Sequence, residues 1–386
     1  MIQSRNMKNK FVSLLKAVYS RFRKITTTIH SLYELRKNKT PITTSYYPEF
    51  ADRRKSEKTI YKEQRDWILK YSQPNPYYFY YGFDIEGLHD PDDYVDYLSV
   101  FRDVRDNNNN NSLSQRIVLR DKSLFGIIAD AYGINTPKNI GIIQNGLIYI
   151  YAKKQFFPIT QHDVIQIVEE NISGDRKMLF VKQIDGECAN GVYRVEINEG
   201  QLWLKGEAIS LDTFSSTDKR YIIQEAIADQ HPALSALHPQ SLNTIRLVTV
   251  FNRQIRDVEV FASCLRVGTG DHYFDNTSAG GLMIGIDAKK GVLNKYGFFK
   301  PQYGTKTVEH PDSHIIFENY SIPYWNEVIN QAKSFHRLLY GVHSIGWDIG
   351  ITEKGPVFIE GNDNWEISGP QIGNGGLKKE FDRLFY

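Results

Sequence analysis

Cysteine is almost missing from this chain of 386 residues: Cys188 and Cys264 are the only two. They show no paired spacing of the kind that holds zinc, and a chain this long can bury enough apolar surface without a disulfide staple. Both points fit a reducing compartment, and a cytoplasmic protein is expected. Long apolar runs are missing too. No uncharged apolar stretch reaches the roughly 18 residues of a bilayer-spanning helix. No repeat with a period of roughly 20–50 residues is visible, which removes solenoids and propellers. The Gly-x-x-x-x-Gly-Lys-Ser/Thr phosphate loop is absent. No Ser-His-Asp or Cys-His nucleophile is evident. Hydrophobic residues make up 41% and charged residues 24%, so wholesale disorder is excluded. At about 150 residues per domain, two or three packed units are expected.

Acidic residues are nearly lacking at one end. Residues 1–40 hold ten Lys/Arg (Arg5, Lys8, Lys10, Lys16, Arg21, Arg23, Lys24, Arg36, Lys37, Lys39) against Glu34 alone, a charge of +9. The whole chain is +2, so residues 41–386 carry −7. The same leader spaces Phe11, Leu14, Leu15, Val18, Phe22, Ile25, Ile29 and Leu32 at three or four residues, as one face of a helix would. Three readings follow: a helix docked on the body, a basic amphipathic helix on an anionic membrane surface, or a site for a partner protein. Lys16 interrupts the apolar stretch Phe11–Tyr19, which argues against a secretory signal. The positive charge does not extend into the body, so no nucleic-acid partner is expected.

Residues 41–114 form an extension with an aromatic run, Tyr77 to Tyr81, and a run of five Asn from Asn107 to Asn111 that reads as an exposed loop. Further along, Asp121 can cap a helix running to Ala131, with Leu124, Ile127, Ile128 and Ala131 as its apolar face. Lys138–Tyr151 reads as a hairpin about Asn145-Gly146. Short strands are expected at Leu179–Val181, Val192–Ile197, Gln201–Leu204 and Tyr221–Ile223. Longer, β-branched strands are expected at Thr244–Phe251 and Val258–Leu265, one long helix at Ile322–Tyr340, and strands at Ser344–Ile351 and Pro356–Ile359. Many antiparallel hairpins among few helices predict an α+β fold.

Several segments can carry chemistry. Asp348 lies in Gly346-Trp347-Asp348-Ile349-Gly350, and Glu360 and Asn362 in Val357-Phe358-Ile359-Glu360-Gly361-Asn362. The turn Glu353-Lys354-Gly355 brings these strands side by side, and period 2 puts Glu360 and Asn362 on one face. Their hard oxygens suit Mg²⁺ held together with substrate phosphates. Lys182 ends an apolar strand before a loop bearing Gly186 and Gly191, which can cover phosphate oxygens with backbone N–H groups. Ile222-Ile223-Gln224-Glu225-Ala226-Ile227 is an apolar strand ending in a polar pair. Alternation along two neighbouring strands can aim Arg246 and Arg266 at one face, and the planar guanidinium fork suits phosphate or carboxylate.

The order of these pieces, from Asp121-Lys122 and Gly133-Ile134-Asn135-Thr136-Pro137 through Lys182, Gln224-Glu225-Ala226-Ile227 and Asp348 to Glu360-x-Asn362, resembles the ATP-grasp superfamily. The C-terminal string from Gly346 to Asn362 looks like its sugar-transfer-associated branch, and the resemblance covers roughly residues 115–386. It implies an α+β fold with two α/β subdomains clasping ATP: an N-terminal part at 115–175 and a core at 176–386, preceded by a mainly helical extension. It implies that Lys122 and Lys182 hold ATP phosphates, that Gly186 and Gly191 shape the loop over them, and that Gln224 with the backbone of Glu225 and Ile227 reads adenine. His231 stands where the superfamily places a ribose contact and often has a carboxylate. Asp348, Glu360 and Asn362 would bind one or two Mg²⁺, or Mn²⁺ in its place. Arg246 and Arg266 would face the γ-phosphate and the acceptor, and the loop Asn276-Thr277-Ser278-Ala279-Gly280-Gly281 would offer small donors nearby. The implied activity is an ATP-dependent ligase joining a carboxylate, such as a sugar acid of a surface polysaccharide, to an amine through an acylphosphate. A phosphotransferase acting on a sugar hydroxyl and a nucleotide-binding regulator are the alternatives.

Overall fold

The computed structural model describes residues 22–37, 46–96, 113–173, 177–186, 191–215, 218–275, 277–300 and 302–386. Two antiparallel sheets organise them. The first is built from β1 (Asn139–Gln144), β2 (Leu147–Ile150), β3 (Gln155–Pro158), β4 (Met178–Gln183), β5 (Val192–Asn198), β6 (Gln201–Leu204), β7 (Glu207–Ile209) and β8 (Tyr221–Glu225), in the order β3-β2-β1-β8-β4-β5-β6-β7. The hairpin at Asn145-Gly146 forms as its sequence demands: both residues take positive φ, 52° and 73°, and Gln144 pairs with Leu147. Ile140, Ile143, Val181 and Ile223 fill one face of this sheet, together with Val164 and Val168 from the helix Val164–Glu169.

The second sheet holds β9 (Thr244–Asn252), β10 (Asp257–Val267), β11 (Leu282–Asp287), β12 (Val292–Phe298), β13 (Lys306–Thr307), β14 (Ser344–Thr352) and β15 (Gly355–Asn362). Their order is β13-β12-β11-β10-β9-β14-β15. The long helix Trp325–Leu338 lies across one face, and its Phe335 stacks on Trp347 with ring centroids 5.0 Å apart. Truncating so large a buried aromatic costs about 3–5 kcal/mol. Every residue of β14 is buried. A strand covered on both faces should read apolar throughout, so the Asp348 carboxylate within it must have partners.

The helix Lys122–Ala131 starts where expected, with Asp121 Oδ1 accepting from the N–H groups of Ser123 and Leu124. Its buried face differs from the expected one. Leu124, Ile127 and Ala131 point outward, and Ser123, Phe125, Gly126 and Ala129 face in. At one point of that face the approach is close, since a Cβ at Gly126 would lie 2.3 Å from Asn139 Nδ2; Phe125 packs on Phe335 of the other core, and Ile128 of the expected face is half-buried against it.

The extension packs on the second sheet. Tyr46, Tyr78, Tyr80, Tyr81 and Phe83 are buried with Phe298 of β12 and Ile372 of the helix Ser368–Asn374. Gln371 secures the junction, its Oε1 accepting from Val95 N–H at 2.7 Å and its Nε2 donating to Val95 O at 3.0 Å and Tyr81 Oη at 3.2 Å. Of the leader, residues 22–37 are described and helical. Leu35 is buried and Ser31 Oγ donates to Ser72 O at 3.1 Å, so the helix docks, but not through the apolar stripe: Phe22, Ile25 and Ile29 stay exposed. The Asn107–Asn111 run lies outside the described residues.

Candidate functional site

Register aligns one row of side chains across the second sheet. Glu360 of β15 is opposite Asp348 of β14, Asp348 opposite Arg246 of β9, and Arg246 opposite Cys264 of β10. Two residues along, Thr244 of β9 is opposite Arg266 of β10, on the same face. Asp348 is the hub. Arg246 grips it with both arms, Nε to Oδ1 at 2.5 Å and Nη2 to Oδ2 at 3.1 Å, and Arg266 Nη2 reaches Oδ2 at 2.9 Å. Burial raises the Asp348 pKa, but the two guanidinium groups outweigh it and hold the carboxyl below its usual range. Arg266 also donates to Thr244 Oγ1 from Nε at 3.1 Å and Nη2 at 2.8 Å.

Sequence reasoning missed Asp275. Its Oδ2 accepts from Thr244 N–H at 2.9 Å and from the Thr244 hydroxyl, and lies 3.7 Å from Arg266 Nε. Burial is the largest influence on it and leaves its pKa above the usual value despite Arg266. Its position just before the Asn276–Gly281 loop was the available signal. That loop is described from Thr277 on, and Ser278 is tied to Lys300 Nζ at 2.7 Å and Tyr303 Oη at 2.8 Å. Also missed was Asp363, which follows the Glu360-x-Asn362 motif. It is buried and accepts from Arg116 Nε at 2.6 Å and Arg120 Nε at 3.0 Å, two arginines one turn apart on the helix Leu113–Arg120.

The first sheet supplies a second cationic group. Lys182 lies on β4 and Lys122 opens the helix Lys122–Ala131; Lys122 Nζ donates to Gly186 O at 2.7 Å. Burial brings the Lys182 ammonium down to about 8; Glu360 of the other sheet opposes this, and Lys122 reinforces it. Lys182 and Glu360 therefore feel each other across the space between the sheets. Gly191 takes φ 71° beside Gln183, and its carbonyl accepts from Gln183 N–H at 2.8 Å. The loop between Gly186 and Gly191 lies at residues 187–190, outside the described residues.

The remaining expected residues are placed as follows. The Gln224 side chain is buried and donates to Asn139 Oδ1 at 2.8 Å. Glu225 N–H is committed to Lys138 O at 2.9 Å, and its carboxylate accepts from Ser173 N–H at 2.8 Å. Ile227 lies two residues beyond the end of β8. His231 acts as a cap: its Nδ1 accepts from Ala233 N–H at 3.1 Å, and its ring meets Tyr324 edge-on. Asn362 Nδ2 donates to Glu360 Oε1 at 3.3 Å, which leaves Asn362 Oδ1 and Glu360 Oε2 as hard oxygen donors. These suit Mg²⁺. Both Asp348 oxygens already accept from arginine, so Asp348 could offer a cation only further lone pairs of those oxygens. No group of three His, Cys, Asp or Glu with metal-binding geometry occurs among the described residues. Lys122, Lys182, Arg246 and Arg266 are cations that an anionic ligand could meet at this site.

Comparison with solved structures finds D-alanyl-alanine synthetase A of Vibrio cholerae O1 biovar eltor str. N16961, at 8% identity and a TM-score of 0.37, covering 70% of this chain and 61% of that one. D-alanine–D-alanine ligase of Bacillus anthracis matches at 13% identity and a TM-score of 0.36, covering 76% and 74%. The L-amino acid ligase of Bacillus licheniformis matches at 10% and 0.35, covering 69% and 48%. The chain thus spans about three fifths of the Vibrio protein's length. No curated protein sequence matches it. The family model described as sugar-transfer associated ATP-grasp matches residues 103–383, nearly three quarters of the chain, and the protein therefore belongs to the sugar-transfer associated ATP-grasp family.

Proposed function

We propose that this protein is an ATP-dependent carboxylate–amine ligase whose acid substrate is a sugar acid or polysaccharide precursor. The observation that carries the reading is the arginine pair locked by Asp348 on one sheet, with Lys182 of the other sheet close enough to Glu360 to sense its charge. In this reading Lys122 and Lys182 bind the ATP phosphates, and the Glu225 carbonyl and Ile227 N–H meet adenine, since the Gln224 side chain and Glu225 N–H are already engaged. His231 keeps its capping role and borders the ribose. Glu360 and Asn362 would hold Mg²⁺, with Asp348 beside them; the ion would neutralise phosphate charge during transfer.

The chain's own groups then act in sequence. Arg266, braced by Asp348, Asp275 and Thr244, fixes the acceptor carboxylate in line with the γ-phosphate. Arg246 meets the charge that builds on the transferring phosphoryl group. The carboxylate oxygen bonds to phosphorus as the bond to ADP breaks, giving an acylphosphate. The amine then attacks the acyl carbon, inorganic phosphate leaves, and the amine's proton passes to solvent.

The test is ADP release from ATP with a panel of uronic acids, with and without amines, and with hydroxylamine as a trap. Acyl hydroxamate formed only with ATP and an acid supports the ligase. ADP release from neutral sugars with no hydroxamate would replace it by a phosphotransferase. Nucleotide binding without turnover on any pair would leave a regulator.

A further inference from the structure

The helix over residues 22–37 has two opposite faces. One is docked, through Leu35 and the Ser31–Ser72 hydrogen bond. The other exposes Phe22 (65%), Ile25 (57%), Ile29 (62%) and Tyr33 (59%). At roughly 100° per residue these four fall within about 80° of arc, a single apolar stripe turned away from the protein. Arg36 shares that arc, and Lys37 flanks it, its Nζ 6.0 Å from the Tyr33 ring centroid. Over residues 22–37, Arg23, Lys24, Arg36 and Lys37 face one acid, Glu34. The sequence of residues 1–21 adds Phe11, Leu14, Leu15 and Val18, five more Lys/Arg and no acid.

We propose that this face lies on an anionic phospholipid surface, with the apolar stripe at the level of the acyl-chain boundary and the basic residues among the headgroups. Charge decides the occupant. A second copy of this chain would bring a like-charged stripe against its own, whereas an anionic bilayer offers both apolar depth and opposite charge. Docking through Leu35 fixes which way the stripe points, so the helix meets a bilayer without unfolding from the body. The proposal is independent of the chemistry at the arginine cluster.

The experiment is co-sedimentation of the full chain with vesicles of equimolar phosphatidylglycerol and phosphatidylcholine, and with vesicles of phosphatidylcholine alone. Partitioning should be about tenfold or more stronger on the anionic vesicles and should fall with added salt. The triple variant Phe22→Ser/Ile25→Ser/Ile29→Ser should lose about tenfold or more on anionic vesicles while its thermal midpoint stays unchanged, because these side chains are exposed. Arg36→Glu/Lys37→Glu should weaken binding without touching the apolar stripe. A full chain left in the supernatant with anionic vesicles overturns the proposal. So does a triple variant that sediments like the parent, or a full chain whose oligomers dissociate on the triple substitution while it ignores vesicles.

Discussion

Asp348→Asn isolates the hub of the site. The substitution keeps the shape but removes the buried charge that holds two half-buried arginines. The carboxylate accepts from Arg246 at 2.5 and 3.1 Å and from Arg266 at 2.9 Å, and it is 4% exposed. An amide retains one acceptor oxygen and turns an N–H₂ donor toward a guanidinium that can only donate. Arg266 keeps Asp275; Arg246 loses its anionic partner in the cluster. Breaking a buried ion pair from one side costs about 3–5 kcal/mol. For a cooperative unit of about 150–250 residues, that is a fall in thermal midpoint of about 6–20 °C at pH 7. The pH dependence adds a second check. The folded-state pKa of Asp348 is depressed, so its stabilisation is present above the unfolded value of about 3.9 and is lost as pH falls through the lower folded value. The gap between wild type and variant should therefore be full at pH 7 and shrink below about pH 4. Differential scanning calorimetry from pH 7 to 3 measures both. A midpoint within about 2 °C of wild type at pH 7, or a gap that stays constant into acid, would refute the reasoning.

Three further outcomes follow from the same geometry. Glu360→Gln should fold normally, since the hydrogen bond it accepts from Asn362 survives in the amide, yet ADP release should drop by about a hundredfold or more; wild-type turnover at saturating Mg²⁺ would reject the ligand assignment. Nucleotide binding should weaken as pH rises through about 8, where Lys182 loses its proton, and this limb should be missing in Lys182→Met; an affinity flat from pH 7 to 9.5 in the wild type would separate Lys182 from the phosphates. Gly191→Ala places a methyl 3.0 Å from Gln183 Cβ at φ 71°, a strain of about 1–2 kcal/mol. The KM for ATP should rise about five- to thirtyfold, and an unchanged KM would show that the loop does not cover the nucleotide.

What could be read in advance was local. The hairpin of β14 and β15, the Asp121 cap and the Asn145-Gly146 turn each rest on residues within a few positions of one another, where turn chemistry and period 2 decide the outcome. The paired arginines were legible because β9 and β10 are adjacent in sequence as well as in space. Asp275 was not, because it sits in a stretch with no period and finds Thr244 only through tertiary folding 31 residues away. β11 and β12 went unread for a related reason: Gly285 and Gly297 dilute the β-branched pattern that marks a strand. The outward turn of Leu124 and Ile127 shows the converse error, in which a helical apolar spacing points away from the core while Phe125 and Gly126 face in, Gly126 where a Cβ would meet Asn139. The aromatic run at Tyr77–Tyr81 carries no helical or strand period, yet three of its five rings are buried, and the Tyr81 hydroxyl accepts from Gln371, far along the chain.

That aromatic junction sets where the protein can be cut. The family match begins at residue 103, so a truncation at that border looks natural on paper. It would strip Tyr80 from Phe298 and bare Ile372, two side chains now no more than 6% exposed. It would also remove Val95 from Gln371, stranding both ends of an amide that is now wholly enclosed. The smallest piece expected to stay soluble in expression trials therefore starts before Tyr46, and the segment ahead of the family border belongs to the folding unit rather than to a detachable tail.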